Sequence, residues 1–159
     1  MTLVVYVGGA RSGKSRLAVE RARHSGGPVV FIATGEAGDD EMTARIERHK
    51  AERPAGWVTV EEPVELASAL RDAPADATVI VDCLSLWVAN GGGGPQAAEA
   101  AAERRGLTIA VTNEVGLGIV PDNAPARAYR DDLGRVNAAW VAAADEAYFV
   151  VAGKLLRLE

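Results

Sequence analysis

Gly8-Gly9-Ala10-Arg11-Ser12-Gly13-Lys14-Ser15 constrains this chain more than any other stretch, because it fits G-x-x-x-x-G-K-S directly after the apolar run Leu3 to Val7. The glycines let the backbone wrap so that several N–H groups converge on phosphate oxygens. A helix starting at Lys14 adds its positive N-terminal end. Lys14 then supplies charge to β- and γ-phosphates, and the Ser15 hydroxyl is a ligand for Mg²⁺. A chance Gly-rich turn is the bland alternative. The strand before the motif and the helix after it argue against that.

The rest of the chain keeps the same alternation. Val29 to Ala33 reads as a strand and Asp39 to Glu52 as a helix. Val58 to Val60 reads as a short strand, followed by a helix over Val64 to Arg71. Thr78 to Val81 is a β-branched strand ending in Asp82, and Leu107 to Thr112 is another strand. Ala126 to Ala144 reads as a long helix. Tyr148 to Ala152 and Leu155 to Leu158 read as two final strands around a Gly153-Lys154 turn. Strands alternating with helices predict an α/β fold with a mostly parallel sheet flanked by helices on both faces. The last two strands predict an antiparallel edge hairpin. Gly91 to Gly94 is the one low-complexity stretch, read as a flexible surface loop.

A length of 159 residues suits a single domain, here residues 1–159. The net charge of −5 excludes a general attraction to nucleic acid or acidic membranes. An anionic ligand therefore needs a local site. The N-terminal apolar run is too short to span a bilayer and lacks the features of a signal peptide. The single cysteine, Cys83, leaves no disulfide within the chain. A cytoplasmic protein is expected.

Phosphate chemistry also needs an acidic group on the metal side, usually at the end of a neighbouring strand. Asp82 is placed for that, although it also suits the N-cap of a helix over Leu84 to Val88. Asn113, after another strand, is a polar group able to sense a terminal phosphate. On the second helix, Glu41 and Arg45 have the spacing of an i,i+4 pair. Met42, Ile46 and His49 share one stripe, so His49 is expected to face the protein body. Such a histidine is a satisfied core residue or, being partly neutral near pH 7, a nucleophile able to carry a phosphoryl or nucleotidyl group. His24, at the end of the first helix, receives no role. Trp57, Trp87 and Trp140 are expected to be core for at least two of the three.

Several segments together resemble one family. They are the loop 8–15, Ile32-Ala33-Thr34, Asp39 to Met42, Arg45-Ile46-x-x-His49-Lys50-x-x-Arg53-Pro54 and Asp82 to Trp87, then Thr112 to Pro121, Tyr129 to Asn137 and Ala142 to Glu146. In this order, over almost the whole chain, they are similar to the bifunctional adenosylcobinamide kinase/adenosylcobinamide-phosphate guanylyltransferases. That resemblance implies a RecA-like P-loop fold and two reactions of cobalamin assembly. One phosphorylates adenosylcobinamide with ATP or GTP. The other transfers GMP from GTP to the resulting phosphate through a guanylyl-histidine, for which His49 matches the family position. It also implies nucleotide contacts from Gly8 to Ser15, from Thr34, Gly35 and Glu36, from Lys50, Ala51, Glu52 and Arg53, and from Glu61 and Asp82. Lys14 is expected to act in catalysis, Ser15 and Asp82 to hold Mg²⁺, and the chain to form a homotrimer.

The chain departs from the family between Trp87 and Leu107, where a Gly-Pro loop and the Ala-rich segment Gln96 to Arg105 replace a longer stretch. The shortening either narrows the corrinoid pocket, weakens an oligomer contact or trims a surface helix without effect. Arg127, Arg130 and Asp131 on the long helix bind substrate phosphate, pair across a subunit boundary or form a solvated face. The rival readings are a P-loop small-molecule kinase without a covalent intermediate and a nucleotide-dependent corrinoid-binding protein.

Overall fold

The computed structural model describes residues 2–159. In chain order the elements are β1 (Thr2–Gly8), α1 (Lys14–Arg23), β2 (Val29–Ala33), α2 (Asp40–Ala51), β3 (Val58–Glu61), α3 (Leu66–Asp72) and β4 (Thr78–Asp82). They continue with α4 (Leu84–Ala89), α5 (Gln96–Glu103), β5 (Leu107–Asn113), α6 (Ala124–Ala143), β6 (Glu146–Val151) and β7 (Lys154–Leu158). All seven strands form one sheet in the order β3-β2-β4-β5-β1-β6-β7. Neighbours are parallel except β6 and β7, which form the antiparallel edge hairpin.

The central strands are apolar on both sides because helices cover both faces. Val5, Val7, Ile32, Val79 and Val81 pack with Leu66, Leu70, Trp87, Leu133 and Trp140 from α3, α4 and α6. Val4, Tyr6, Phe31, Ile80 and Val111 point the other way, against Ala18 and Ala22 of α1. On that second face α2 buries none of its residues. It stands over open space beside α1.

Register aligns the carboxyl ends of the strands. Gly8 pairs with Asn113, and Ala33 lies between Asp82 and Glu61. From β1 the chain crosses towards β2, whereas from the adjacent β5 it crosses the opposite way towards β6. A crevice therefore opens where the crossovers diverge, the place where open α/β sheets bind ligands.

Element boundaries differ from expectation for local reasons. The helix expected from Val64 starts at Leu66, because the Glu62 carboxylate takes the Val64 and Glu65 N–H groups at 3.1 and 3.0 Å. The long helix begins at Ala124, earlier than expected, because the Asn123 side chain accepts the Ala126 N–H at 2.9 Å. The hairpin turn is Ala152-Gly153, since Lys154 already pairs with Val151. The glycine run is more than a surface loop: a Cβ on Gly92 would lie 2.3 Å from the Trp87 indole nitrogen. The shortened crossover still forms α5, which buries Ala97, Ala98, Ala100 and Ala101. Behind it, the buried Arg104 donates to the carbonyls of Leu70, Ala73, Pro74 and Ala77 at 2.7–3.2 Å. Trp87 and Trp140 are core, and Trp57 is half-buried.

Candidate active site

The glycine loop has the backbone its sequence requires. Gly13 stands at φ +102° and Arg11 at φ +54°. A Cβ on Gly8 would come within 2.5 Å of the Val150 carbonyl oxygen, so no larger residue fits there without moving backbone. Lys14 is buried, and its ammonium donates to the Gly9 carbonyl and, at 3.4 Å, to Ser12 Oγ. Burial lowers its pKa, opposed by the nearby Cys83 and Asp82 and assisted by the charge of Arg45. An arriving phosphate offers that ammonium a stronger partner than a carbonyl.

One cavity of about 670 Å³ brings most of the expected site together. Its walls hold loop residues Ala10 to Ser15, then Gly35, Glu52, Arg53, Glu61 and Asp82, and His49 from α2. Gly8 and Gly9 form the loop's base, and Glu36 and Ala51 are exposed outside the wall. Thr34 lies beneath the wall and is fully buried. Its hydroxyl donates to the Cys83 carbonyl at 2.6 Å and accepts the Cys83 N–H at 2.9 Å. Thr34 thereby fastens the end of β2 to the end of β4, beside Asp82.

Asp82 does not cap α4. Cys83 does, through its sulfur and the Leu86 N–H at 3.4 Å. Among the described residues Asp82 has no ion-pair partner within 4.0 Å, and its carboxylate is left for the cavity.

His49 is exposed rather than packed into a core, which removes the reading of a satisfied core histidine. It stands where the first cavity meets a second of about 610 Å³, between α1 and α2, which includes His24 in its lining. The Arg53 guanidinium lies 3.7 Å from the centre of the Phe31 ring, and its Nη1 donates to Thr59 Oγ1 at 2.9 Å. Burial lowers the Arg53 pKa. Lys50 is ion-paired with Glu61, which raises the lysine's pKa and lowers the carboxylate's. Glu41 and Arg45 both line the first cavity but form no ion pair among the described residues.

Asn113 reaches the cavity at the end of β5, and three residues not singled out from the sequence hold it. Its N–H donates to Ser85 Oγ at 2.7 Å, and its carbonyl accepts from Asn137 Nδ2 at 2.9 Å. Tyr129 donates to the Ser85 carbonyl at 3.0 Å. Both Ser85 and Tyr129 also line the cavity. Their sequence signal was their place in the Asp82-to-Trp87 and Tyr129-to-Asn137 segments, which carry the family resemblance without assigning these three residues a role. Arg127 donates to the Pro121 carbonyl and Arg130 pairs with Asp131, so all three stay off the cavity wall.

The cobinamide kinase/cobinamide phosphate guanyltransferase family model matches residues 3–158. The chain belongs to that family. Its members combine a kinase with a nucleotidyltransferase, and this chain is an enzyme of that kind. It is 44% identical over 160 residues to the Bifunctional adenosylcobalamin biosynthesis protein CobP of Pseudomonas aeruginosa, spanning 94% of this chain and 92% of the relative. It is 39% identical over 175 residues to the corresponding CobU of Salmonella typhimurium, spanning 95% and 96%. In fold it is similar to the flagellar accessory protein FlaH of Methanocaldococcus jannaschii, with a TM-score of 0.55, 14% identity and 97% of this chain covered against 74% of that one. No helix among the described residues is long and apolar enough to cross a membrane.

Proposed function

We propose that this chain phosphorylates adenosylcobinamide and then transfers GMP from GTP to the adenosylcobinamide phosphate, with His49 carrying the GMP between the two substrates. The observation that supports the histidine step is that His49 and Lys14 line one cavity, from α2 and from the glycine loop. Lys14 and the loop amides grip the β- and γ-phosphates, which leaves the α-phosphorus facing α2. The same grip stabilises the charge that develops on the leaving pyrophosphate. His49 is exposed and without a hydrogen-bond partner among the described residues, so a ring nitrogen is free to attack. Phosphorylation of the alcohol instead requires attack at the γ-phosphorus, with the nucleotide held by the same loop.

Mg²⁺ suits Ser15 and Asp82, because a hydroxyl and an unpaired carboxylate are hard oxygen donors facing the same cavity. The described residues contain no cluster of three or more His, Cys, Asp or Glu able to hold a metal alone, so phosphate oxygens and water would complete the set. When bound, the ion neutralises phosphate charge. Lys50 to Arg53 and Glu61 contribute to nucleotide binding around the α2 end of the cavity. Assembly as a homotrimer belongs to the same reading, and sedimentation of the purified protein tests it.

The deciding experiment incubates the protein with Mg²⁺ and GTP labelled at the α- or the γ-phosphate, alongside His49→Ala. Acid-labile label from the α position alone, absent in the variant, is expected. A folded, GTP-binding protein that takes no label overturns the covalent step and leaves a kinase without a covalent intermediate.

A further inference from the structure

His49 stands on the wall of two cavities, and only one of them can deliver the second substrate's phosphate to it in line. Phosphoryl-type displacements place the attacking and leaving atoms on opposite sides of phosphorus. In the first half of the reaction a lone pair of the His49 ring forms a P–N bond to the α-phosphorus. The bond from that phosphorus to the bridging oxygen breaks, and its electron pair leaves with pyrophosphate. In the second half a phosphate oxygen of the acceptor forms the new P–O bond, and the P–N electron pair returns to the ring. The proton on the other ring nitrogen stays in place throughout. Since the P–N bond is the leaving bond in the second half, the acceptor must approach from the side that pyrophosphate left.

That side is the glycine-loop cavity, and Arg45 belongs to it. Arg45 precedes His49 by one helical turn on the same face of α2, and both side chains line the cavity with Lys14. Among the described residues no carboxylate lies within 4.0 Å of its guanidinium. Its charge is also felt at Lys14. The neighbouring cavity is poorer in free cations. There Arg16 pairs with Glu20 at 3.2 Å, and His24 Nδ1 lies 2.7 Å from the Glu20 carbonyl oxygen. Among the described residues Arg23 and Arg53 have no ion pair there, and of these Arg53 lines both cavities whereas Arg23 lines only this one.

We propose that the acceptor's phosphate monoester occupies the cradle vacated by pyrophosphate, between the glycine-loop Lys14 and Arg45, and that Arg45 contacts both anions in turn. The two halves of the transfer then share one phosphate site and run strictly one after the other. This inference rests on the guanylyl-histidine reading.

The test uses full-length protein loaded to completion with α-labelled GTP and freed of nucleotide. Discharge of the label is then timed with inorganic pyrophosphate and, separately, with adenosylcobinamide phosphate. Arg45→Ala should slow both discharges by about 10²-fold, the size of losing one charge-stabilising donor. Arg45→Lys should recover part of each, because a point charge replaces the fork. Arg23→Ala should leave both unchanged. Arg45→Ala slowing only pyrophosphate discharge, or neither discharge, overturns the shared cradle. So does Arg23→Ala slowing only the acceptor. Failure of the unmodified chain to take label would instead remove the histidine reading, and the shared cradle with it.

Discussion

Gly153 donates its backbone N–H to the Ser12 carbonyl at 2.7 Å, fastening the turn of the C-terminal hairpin to the phosphate-binding loop. The two glycines Gly13 and Gly153 also pack closely, since a Cβ on Gly13 would lie 3.3 Å from the Gly153 α-carbon. The last two strands are therefore part of the site's scaffold as well as the sheet's edge.

That contact gives a pair of substitutions with opposite signs. Ala152 and Gly153 stand at φ +49° and +75°, the left-handed turn that favours Asn-Gly. Gly153→Ala meets no close atom other than the Arg16 guanidinium at 3.7 Å, so backbone strain dominates at about 1 kcal/mol of lost stability. Ala152→Asn should gain roughly 0.5–1 kcal/mol, since asparagine tolerates this conformation better than alanine. Chemical denaturation measures both. Isothermal titration with GTP should show weaker binding for Gly153→Ala, through the loosened Ser12 carbonyl. Unchanged affinity would confine the hairpin to a purely structural role.

A second prediction concerns acid. Glu146 accepts from Arg21 at 2.9 and 3.0 Å and from the Tyr148 hydroxyl at 2.7 Å. The Arg21 guanidinium, then the tyrosine, hold its pKa at about 2 instead of the ordinary 4.5. A depressed carboxylate stabilises the fold fully above its unfolded value and loses that contribution as pH falls through the folded one. The stability difference between the unmodified chain and Glu146→Gln should therefore be constant above pH 5 and shrink between about 4.5 and about 2. Denaturant titrations at pH 7, 4 and 3 read it directly. A difference independent of pH would mean that the glutamate contributes by shape and hydrogen bonding rather than charge.

The fold was largely legible because its signals are local: a glycine loop between a strand and a helix, and apolar runs spaced by helical patterns. What failed was non-local. The stripe of Met42, Ile46 and His49 correctly gave a common face for α2 but not what lies opposite it, which is a cavity and not a core. Glu41 and Arg45 had the spacing of a pair, yet the two line the cavity separately. Asp82 suited an N-cap by residue type, but one residue further along Cys83 has the capping geometry. Ser85 and Tyr129 meet the site through contacts 28 and 44 residues apart in sequence, and Arg104 reaches back 34 residues to the Leu70 carbonyl. No periodicity encodes such pairs.

The Asn137 side chain supplies the last and most specific expectation. It is buried on α6, accepts from the Thr112 hydroxyl at 2.6 Å, and donates to the Asn113 carbonyl at 2.9 Å. It thus holds the end of β5, whose Asn113 faces the glycine-loop cavity. Asn137→Ala leaves a buried hydroxyl and a carbonyl without partners, at a cost of about 1–3 kcal/mol each. Asn137→Asp keeps the acceptor for Thr112 but sets a carboxylate oxygen against the Asn113 carbonyl. Protonation restores the lost donor, so the folded state of that variant raises the new group's pKa above its unfolded value. Its deficit against the unmodified chain should therefore shrink as pH falls from 7 towards 5. Turnover in the kinase half-reaction should fall with either substitution while the KM for nucleotide changes less, because Asn113 is displaced and the glycine loop is not. A KM effect without a turnover effect would instead place Asn113 in ground-state binding.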